Sequence, residues 1–194
     1  MVIYTIGHST RSLDELVELL RAHHVSRLAD IRTVPRSRRH PHFSADALAV
    51  SLPALGVGYR HFPGLGGLRK PRKDSQNGAW RHEGFRGYAD YMETAAFRDA
   101  LTALIEWGDA GAELPATSLG PGRGLHTAIM CAEAVWWRCH RRLVTDYLLA
   151  RGWEVTHLMA PGQQQAGVLT PGAVVHGDGT IEYPAAEGQA SLPM

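Results

Sequence analysis

Residues 2–32, VIYTIGHSTRSLDELVELLRAHHVSRLADIR, decide the fold. The apolar run at residues 2–7 ends at a glycine and is typical of a buried strand. Ser12 and Glu15 then have the spacing of a capping box, which predicts that a helix begins after Ser12. The helix carries its leucines on one face: Leu13, Leu16, Leu19 and Leu20. Because a second apolar strand follows at residues 27–32, the stretch predicts a parallel β-α-β unit.

The same alternation continues to residue 160. Further strands are predicted at residues 57–62, 126–133 and 154–159, and further helices at residues 45–52, 85–92, 95–108 and 134–152. Alternating strands and helices predict an α/β protein with three layers, in which a mostly parallel sheet is flanked by helices. Residues 172–183 predict a C-terminal β-hairpin that turns at Asp178 and Gly179. We expect this hairpin to pair either with the sheet edge or with a second copy of the chain in a homodimer.

Length and composition narrow the class of protein. A chain of 194 residues predicts one domain over residues 1–194, with its core at residues 1–160 and the hairpin and tail at residues 161–194. The sequence has no apolar run of the roughly 20 residues that span a membrane, and its first residues lack the features of a signal peptide. Two cysteines are too few for a disulfide framework and favour a cytoplasmic location. Residues 108–124, rich in glycine and proline, predict an exposed connector.

Polar or reactive groups lie at or just beyond the points where the apolar part of each predicted strand stops. They are His8, Asp30, Arg32, His61, Cys131, Glu133 and His157. Open α/β sheets bind ligands at the carboxyl ends of their strands, so these groups predict a site. We expect His8, Asp30 and Glu133 to perform acid/base catalysis there. Asp30 and Arg32 share one face of their strand, and the alternative is a structural ion pair between them. The alternative for His8 is that it only holds its turn in place.

A second set of residues is predicted to bind the substrate: Ser9, Arg32, Arg36, Ser37, Arg81, Arg86, Tyr88, Cys131, His140 and Arg141. Residues 32–86 contain eleven Lys or Arg against three Asp or Glu, whereas the rest of the chain contains nine against sixteen. This asymmetry favours an anionic partner. The aromatic residues Trp80, Phe85, Tyr88 and Tyr91 lie among these basic groups, a pattern that suits stacking on nucleic-acid bases. The alternative is a basic surface loop whose aromatic rings pack inward.

The two cysteines have several interpretations. Cys131 ends a strand before a helix, where a thiolate is stabilised and can act as a nucleophile. However, residues 132–137, which separate Cys131 from Arg138, contain no glycine that would let the backbone surround an anion. Burial in the core is the simpler interpretation of Cys139. Without CxxC or HExxH spacing we predict no metal, and without GxGxxG or GxxxxGK[ST] we predict no cofactor.

Five blocks of sequence, in this order, resemble the domain of unknown function 488 family. They are TIGHST at residues 5–10, ADIRTVPRSR at 29–38, LGGLRKPRKDSQNGAWR at 65–81, FRGYADYM at 85–92 and MCAEAVWWRCHRRLVTDYLLARG at 130–152. The resemblance implies a cytosolic, mostly bacterial, single-domain α/β protein, and it supplies no reaction. The positions that it marks are His8, Ser9, Asp30, Arg32, Pro35, Ser37, Tyr88, Cys131, Glu133, Cys139, His140 and Arg141.

Together these features favour an enzyme that acts on a phosphate-bearing substrate, either a nucleotide or a nucleic acid. A hydrolase or a glycosyl transferase fits, because both need a carboxylate and neither needs a cofactor. Asp30 or Glu133 would transfer protons with His8, while four arginines would hold the anion: Arg32, Arg36, Arg81 and Arg141. One alternative is a non-catalytic nucleic-acid-binding module that uses residues 32–86. Another is a small-molecule sensor or scaffold that dimerises through the hairpin.

Overall fold

A computed structural model describes residues 2–36, 39–109 and 126–185 of the chain. Its helices are α1 (Leu13–Ala22), α2 (Ala45–Ala54), α3 (Glu83–Met92), α4 (Ala95–Asp109) and α5 (Arg141–Leu149). Its strands are β1 (Val2–Gly7), β2 (Val25–Asp30), β3 (Gly58–His61), β4 (His126–Cys131), β5 (Glu154–Ala160), β6 (Gln163–Ala166), β7 (Val174–Val175) and β8 (Ile181–Glu182). Ser37 and most of the predicted connector at residues 108–124 lie outside the described residues.

Six of these strands form one sheet in the order β3-β2-β4-β1-β5-β6. The first five run parallel, and β6 pairs antiparallel with β5. Five helices surround the sheet, so the predicted α/β architecture is confirmed. Among the described residues, no helix combines the length and the hydropathy needed to cross a membrane.

The predicted beginning of α1 is also confirmed. Ser12 is its N-cap, and the Ser12 hydroxyl accepts a hydrogen bond from the Glu15 amide over 3.2 Å. In return, the Glu15 carboxylate accepts from the Ser12 amide over 2.6 Å. The helix buries Leu16, Leu19 and Leu20 against the sheet, as the spacing of these residues predicts.

The helices cover both faces of the sheet. On one face, α1 and α2 pack through Leu16, Leu20 and Leu48 against residues such as Ile6 of β1. On the other face, α3, α4 and α5 pack around the alternate strand positions; their buried residues include Tyr88, Phe97, Leu101, Leu143 and Val144. Because successive strand residues point to opposite faces, β1, β2, β4 and β5 each contribute to both cores.

The strand order predicts that a ligand-binding crevice lies at the ends of β1 and β4. From β1 the chain passes through α1 on one face to β2, whereas from β4 it passes through α5 on the other face to β5. Neighbouring strands whose connections leave in opposite directions form the usual ligand-binding crevice of an open α/β sheet. Gly7 and Cys131, the last residues of the two strands, are register partners at its base.

The last long helix is shorter than predicted. The pattern of residues 134–152 predicts a single helix, but α5 begins at Arg141 after a separate 3₁₀ turn at Trp136–Arg138. Cys139 and His140 therefore precede α5, and they do not lie within its first turns as predicted.

Contacts of Trp136 explain the shortened helix. Its ring stacks on the buried His157 of β5, with the ring centroids 4.2 Å apart and the planes inclined by 8°. Its indole nitrogen donates a hydrogen bond to Gln165 Oε1 of β6 over 2.9 Å. Because these contacts hold the segment against β5 and β6, tertiary packing overrides its local helical pattern.

The C-terminal residues add two features. The strand β6 was not predicted, whereas the hairpin is confirmed: β7 and β8 pair through a turn at Asp178 and Gly179, where Gly179 has a φ of 78°. In the described residues the hairpin is a separate two-stranded sheet and does not pair with the edge of the large one. Beyond it, the Tyr183 hydroxyl donates to Asp146 over 2.7 Å in the protein interior, which attaches this end of the chain to α5.

Candidate functional site

The loops that follow β1 and β4 continue the pairing of these strands beyond the sheet. The His8 amide donates to the Cys131 carbonyl over 3.0 Å, and the Ser9 amide donates to the Ala132 carbonyl over 2.9 Å. Ser9 has a φ of 49°, in the left-handed region that non-glycine residues seldom adopt. The two loops are therefore held together at the predicted crevice, and most of the predicted site residues lie on or beside them.

Asp30 and Arg32 form a buried ion pair next to these loops. Asp30 Oδ1 accepts from the Arg32 amide over 3.1 Å and from Arg32 Nε over 2.8 Å. Asp30 Oδ2 accepts from Arg32 Nη2 over 2.5 Å and from the Tyr59 hydroxyl over 2.8 Å. Arg32 Nη2 also donates to the Phe43 carbonyl over 2.8 Å. Both carboxylate oxygens of Asp30 are therefore hydrogen-bonded within the protein. This geometry fits the alternative in which Asp30 and Arg32 form a structural ion pair.

His8 is held in one tautomer by its neighbours. Its Nδ1 lies 3.0 Å from the Ser9 carbonyl, which can only accept, so Nδ1 carries the proton. Its Nε2 lies 3.1 Å from Arg32 Nη1, which can only donate, so Nε2 accepts. Burial and the charge of Arg32 lower the pKa of His8 to about 4. The imidazole is therefore neutral near pH 7, with both nitrogens already hydrogen-bonded to the protein.

Arg141, the first residue of α5, is a buried cation at the crevice. Only 1% of its surface is exposed. Its Nη2 donates to the Glu133 carbonyl over 2.5 Å, whereas its Nε has no hydrogen-bond partner among the described residues. In the same part of the chain, no carboxylate forms an ion pair with its guanidinium. A buried cation without a carboxylate partner is costly, so this arrangement is typical of a site that an anion completes.

Two thiols and an imidazole nitrogen converge beyond the end of β4. His140 Nδ1 lies 3.9 Å from Cys131 Sγ and 3.7 Å from Cys139 Sγ. The other ring nitrogen of His140 donates to the Ile31 carbonyl over 3.1 Å, because that oxygen can only accept. Nδ1 is therefore the ring nitrogen that faces both thiols. Cys131 and His140 are among the predicted substrate ligands, whereas Cys139 was predicted to be part of the core.

The two thiols ionise differently. A hydrogen bond with Cys139, together with burial, raises the pKa of Cys131 well above that of a free thiol. Burial also raises the pKa of Cys139, but the hydrogen bond from Cys131 and the neighbouring His140 and Arg141 outweigh it and hold this pKa well below its usual value. The surroundings therefore stabilise a thiolate on Cys139.

Glu133 is the exposed carboxylate of this group. Its backbone carbonyl accepts from Arg141, and its amide hydrogen-bonds to the Cys131 sulfur. Its side chain is exposed and has no hydrogen bond or ion pair with any described residue. Of the three groups predicted to perform acid/base chemistry, Glu133 is therefore the one whose carboxylate is open to a substrate.

The remaining predicted substrate ligands are more scattered. Arg36 is exposed on the loop after β2, Arg81 is exposed just before α3, and Arg86 faces Glu83 across 3.9 Å on the surface of that helix. The ring of Tyr88 is buried beside His140, with the ring centroids 5.0 Å apart.

The aromatic residues of the basic segment pack inward. Trp80 and Tyr88 are fully buried and Phe85 is nearly so, while Arg69 covers the ring of Tyr91 at 3.6 Å from its centroid. These rings are not exposed for stacking on bases. Their packing fits the alternative of a basic surface loop whose aromatic rings point inward.

Two groups that complete the site carried little signal in the sequence. Tyr59 holds the Asp30 carboxylate from the neighbouring strand β3, but one tyrosine inside an apolar run resembles any core residue. Cys139 stands eight residues after Cys131, a spacing that matches no metal motif. Both contacts arise from the packing of neighbouring strands and loops, and no local pattern predicts them.

We expect stability to fall in acid because His157 is buried in its neutral form. Its Nδ1 lies 2.8 Å from Thr5 Oγ1, and burial with the nearby charge of Arg141 lowers its pKa to about 3. In an unfolded chain the pKa is about 6.5, so below that pH the unfolded state binds a proton that the folded state does not. The contribution of His157 to the free energy of unfolding is therefore complete above about pH 6.5. It declines toward pH 3 by about 1.4 kcal/mol per pH unit.

Urea unfolding at several pH values measures this slope. His157→Gln keeps a group that can hydrogen-bond to Thr5 but does not titrate, so its slope between pH 6 and 4 should be shallower by about 1.4 kcal/mol per unit. An NMR titration of the folded protein that places the His157 midpoint near the unfolded value of about 6.5 contradicts the prediction.

Comparison with known proteins identifies one similarity. A family model described as "Domain of unknown function DUF488" matches residues 12–148, well over half of the chain. The match begins after His8 and includes the ends of β2 and β4, Cys139 and Arg141. No curated protein and no solved structure matches the chain.

Proposed function

The chain belongs to the domain of unknown function 488 family, a membership that names no reaction, and we propose from the geometry of the crevice that it is an enzyme acting on a phosphate-bearing substrate. The observation that carries this proposal is Arg141, a buried guanidinium whose Nε is unpartnered and which has no carboxylate partner among the described residues. The anionic group of the substrate would supply the missing negative charge.

The position of Arg141 supports an anionic ligand in a second way. As the first residue of α5 it lies at the positive end of a helix, where backbone N–H groups and the helix dipole favour negative charge. A guanidinium presents its donors in a planar fork that matches the oxygens of a phosphate. A phosphate of a nucleotide is therefore the substrate group that we assign to this position.

Glu133 is the residue that we assign to proton transfer. It lies two residues beyond Cys131 at the same crevice, and its carboxylate is exposed and not engaged by the described residues. Asp30 and His8 support the site differently, because Asp30 is occupied by Arg32 and Tyr59 and His8 is hydrogen-bonded at both nitrogens. A hydrolase or a glycosyl transferase suits one free carboxylate.

Nucleotide and nucleic acid share the phosphate that this site would bind. A nucleic-acid ligand would also contact the exposed cations outside the crevice, such as Arg36, Arg39, Lys70 and Lys73. The burial of Trp80 and Tyr88 removes the stacking surface on which that interpretation relied. We therefore assign a nucleotide, in the cytoplasm, where the two free thiols remain reduced. A homodimer stays a prediction that size-exclusion chromatography checks.

Binding measurements with inorganic phosphate, a nucleoside monophosphate and a single-stranded oligonucleotide test the proposal. We expect Arg141→Lys to weaken binding of the monophosphate by about 10- to 100-fold, because the charge remains but the planar fork is lost. The control Arg98→Lys, on the surface of α4, should bind like the wild type. Thermal stabilisation of the wild type by the monophosphate needs no variant, and its absence at millimolar ligand contradicts the proposal.

The same ligands separate the alternatives. Oligonucleotide binding that falls steeply with salt, without binding of the monophosphate, would favour the nucleic-acid-binding module. Glu133→Gln should keep the affinity for the monophosphate and lower turnover of a hydrolysable nucleotide by about 100- to 10,000-fold. A folded Glu133→Gln protein with full turnover removes Glu133 from the mechanism.

A further inference from the structure

We propose that Cys131, Cys139 and His140 bind a zinc ion and leave one coordination position open. The inference goes beyond the proposed function, since it requires neither a phosphate-bearing substrate nor Arg141. It rests on three side chains that come from two separate places, the end of β4 and the residues just before α5.

The spacing of the three donor atoms fits a tetrahedral ion. Cys131 Sγ, Cys139 Sγ and His140 Nδ1 all lie within 4.8 Å of one another. A zinc ion with Zn–S of about 2.3 Å and Zn–N of about 2.0–2.1 Å holds its sulfur and nitrogen ligands about 3.6 Å apart. The observed sulfur–nitrogen distances are 3.9 and 3.7 Å, within a few tenths of an ångström of that spacing.

His140 is oriented in the way that metal-binding histidines are. Its Nε2–H donates to the Ile31 carbonyl over 3.1 Å. This bond fixes the tautomer of the neutral ring, so Nδ1 is the nitrogen that can bind a metal. Metal ligands commonly give their second ring N–H to a backbone carbonyl in this manner. The ring is also packed between Tyr88 and Gly67: its centroid lies 5.0 Å from that of Tyr88, and a Cβ on Gly67 would lie 3.1 Å from Nδ1.

The donor set selects the metal. Two thiolates and an imidazole are soft and intermediate ligands, a combination that suits Zn²⁺ and excludes Mg²⁺ and Ca²⁺, which bind oxygen. Both cysteines are free and buried, so neither is occupied by a disulfide.

The number of protein ligands, three, distinguishes this site from a structural zinc site. Structural zinc sites have four protein ligands, whereas catalytic sites have three and bind water or substrate at the fourth position. Among the described residues, the group that could hold a metal contains these three members, and His140 and Glu133 are not fully buried. A water at the open position would have its pKa lowered by the ion and could act as a nucleophile.

Zinc binding to the reduced wild-type protein is the direct test. Protein stripped with a chelator and kept under reductant is titrated with Zn²⁺ against a chromophoric chelator, and we expect one ion per chain. Co²⁺ in place of Zn²⁺ should give the visible bands of a tetrahedral ion and a thiolate-to-metal charge-transfer band. Zn²⁺ should also protect both thiols from alkylation, a readout that uses the unaltered chain.

Matched variants locate the site. Cys131→Ser, Cys139→Ser and His140→Gln should each weaken Zn²⁺ binding by more than about 100-fold, because loss of a ligand costs at least as much as loss of its supporting hydrogen bond. His61→Gln is the control, since His61 lies at the same sheet edge but donates to the Arg32 carbonyl. Absence of stoichiometric binding by the wild type, or alkylation at equal rates with and without Zn²⁺, overturns the inference. No substrate is present, so the result does not depend on the proposed enzyme function.

Discussion

Gly7→Ala should lower the free energy of unfolding by about 3 kcal/mol, at the upper end of what overpacking usually costs. A Cβ on residue 7 would lie 1.8 Å from the Glu133 carbonyl oxygen and 3.0 Å from Arg141 Nη2. The first of these atoms belongs to the backbone and cannot turn away as a flexible side chain can. To accommodate the methyl group, the loops after β1 and β4 must separate.

Gly177→Ala is the matched control for this prediction. A Cβ at Gly177 meets no atom within 4 Å, so the same substitution there should change stability by less than about 0.5 kcal/mol. Urea denaturation of the two variants and the wild type gives the comparison. If Gly7→Ala is as stable as Gly177→Ala, the close approach of residue 7 to the Glu133 carbonyl is refuted.

A consequence for the site accompanies the loss of stability. Because the added methyl group displaces the Glu133 carbonyl, it should disturb the hydrogen bond of 2.5 Å that this carbonyl accepts from Arg141. Any folded fraction of Gly7→Ala should therefore bind the nucleoside monophosphate more weakly than the wild type. Unchanged monophosphate affinity in the folded variant would show that the loop after β1 does not position Arg141.

Asp30→Ala should cost about 3–5 kcal/mol, because it leaves the charge of Arg32 buried without its partner. The Asp30 side chain is completely buried, and it accepts four hydrogen bonds from Arg32 and Tyr59. Chemical denaturation measures the loss. The control is Glu83→Ala, which removes a carboxylate that faces Arg86 on the surface. The Glu83 side chain is 80% exposed, so the free energy of unfolding should change by less than about 1 kcal/mol.

A double-mutant cycle separates the ion pair from the volume of its side chains. Arg32→Met removes the charge but keeps most of the apolar stem, so Asp30→Ala combined with Arg32→Met should be less destabilised than the sum of the two single changes. Additive effects would contradict a pairwise interaction. A loss for Asp30→Ala no larger than for Glu83→Ala would contradict the buried pair itself.

The anion position and the zinc position would complement each other. In the absence of metal, burial raises the pKa of Cys139, but Cys131, His140 and Arg141 together outweigh it and favour a thiolate. When a zinc ion takes both thiolates, their negative charge is shared with the metal, and Arg141 is left to a ligand anion. The two proposals are tested with different probes, yet together they describe one crevice that holds a metal beside a phosphate.

Much of the fold was predictable because its signals are local. The capping box at Ser12 and Glu15 and the leucine face of α1 depend on residues three or four apart, and both predictions are confirmed. The predicted helix at residues 134–152 was wrong for residues 134–140 because Trp136 packs on His157, a residue 21 positions later in the chain. Propensity describes a segment by itself, so it cannot include a partner contributed by another strand.

The sequence by itself determined the alternation of strands and helices, and hence that polar residues at the strand ends meet at one edge of the sheet. Only the tertiary structure decided which of them are available for chemistry. The order of the strands placed Tyr59 on Asp30 and brought Cys139 to Cys131, and it buried Arg141 without a carboxylate among the described residues. Hydrophobic periodicity reports which face of an element is buried, whereas a site depends on distances between elements that are far apart in the chain.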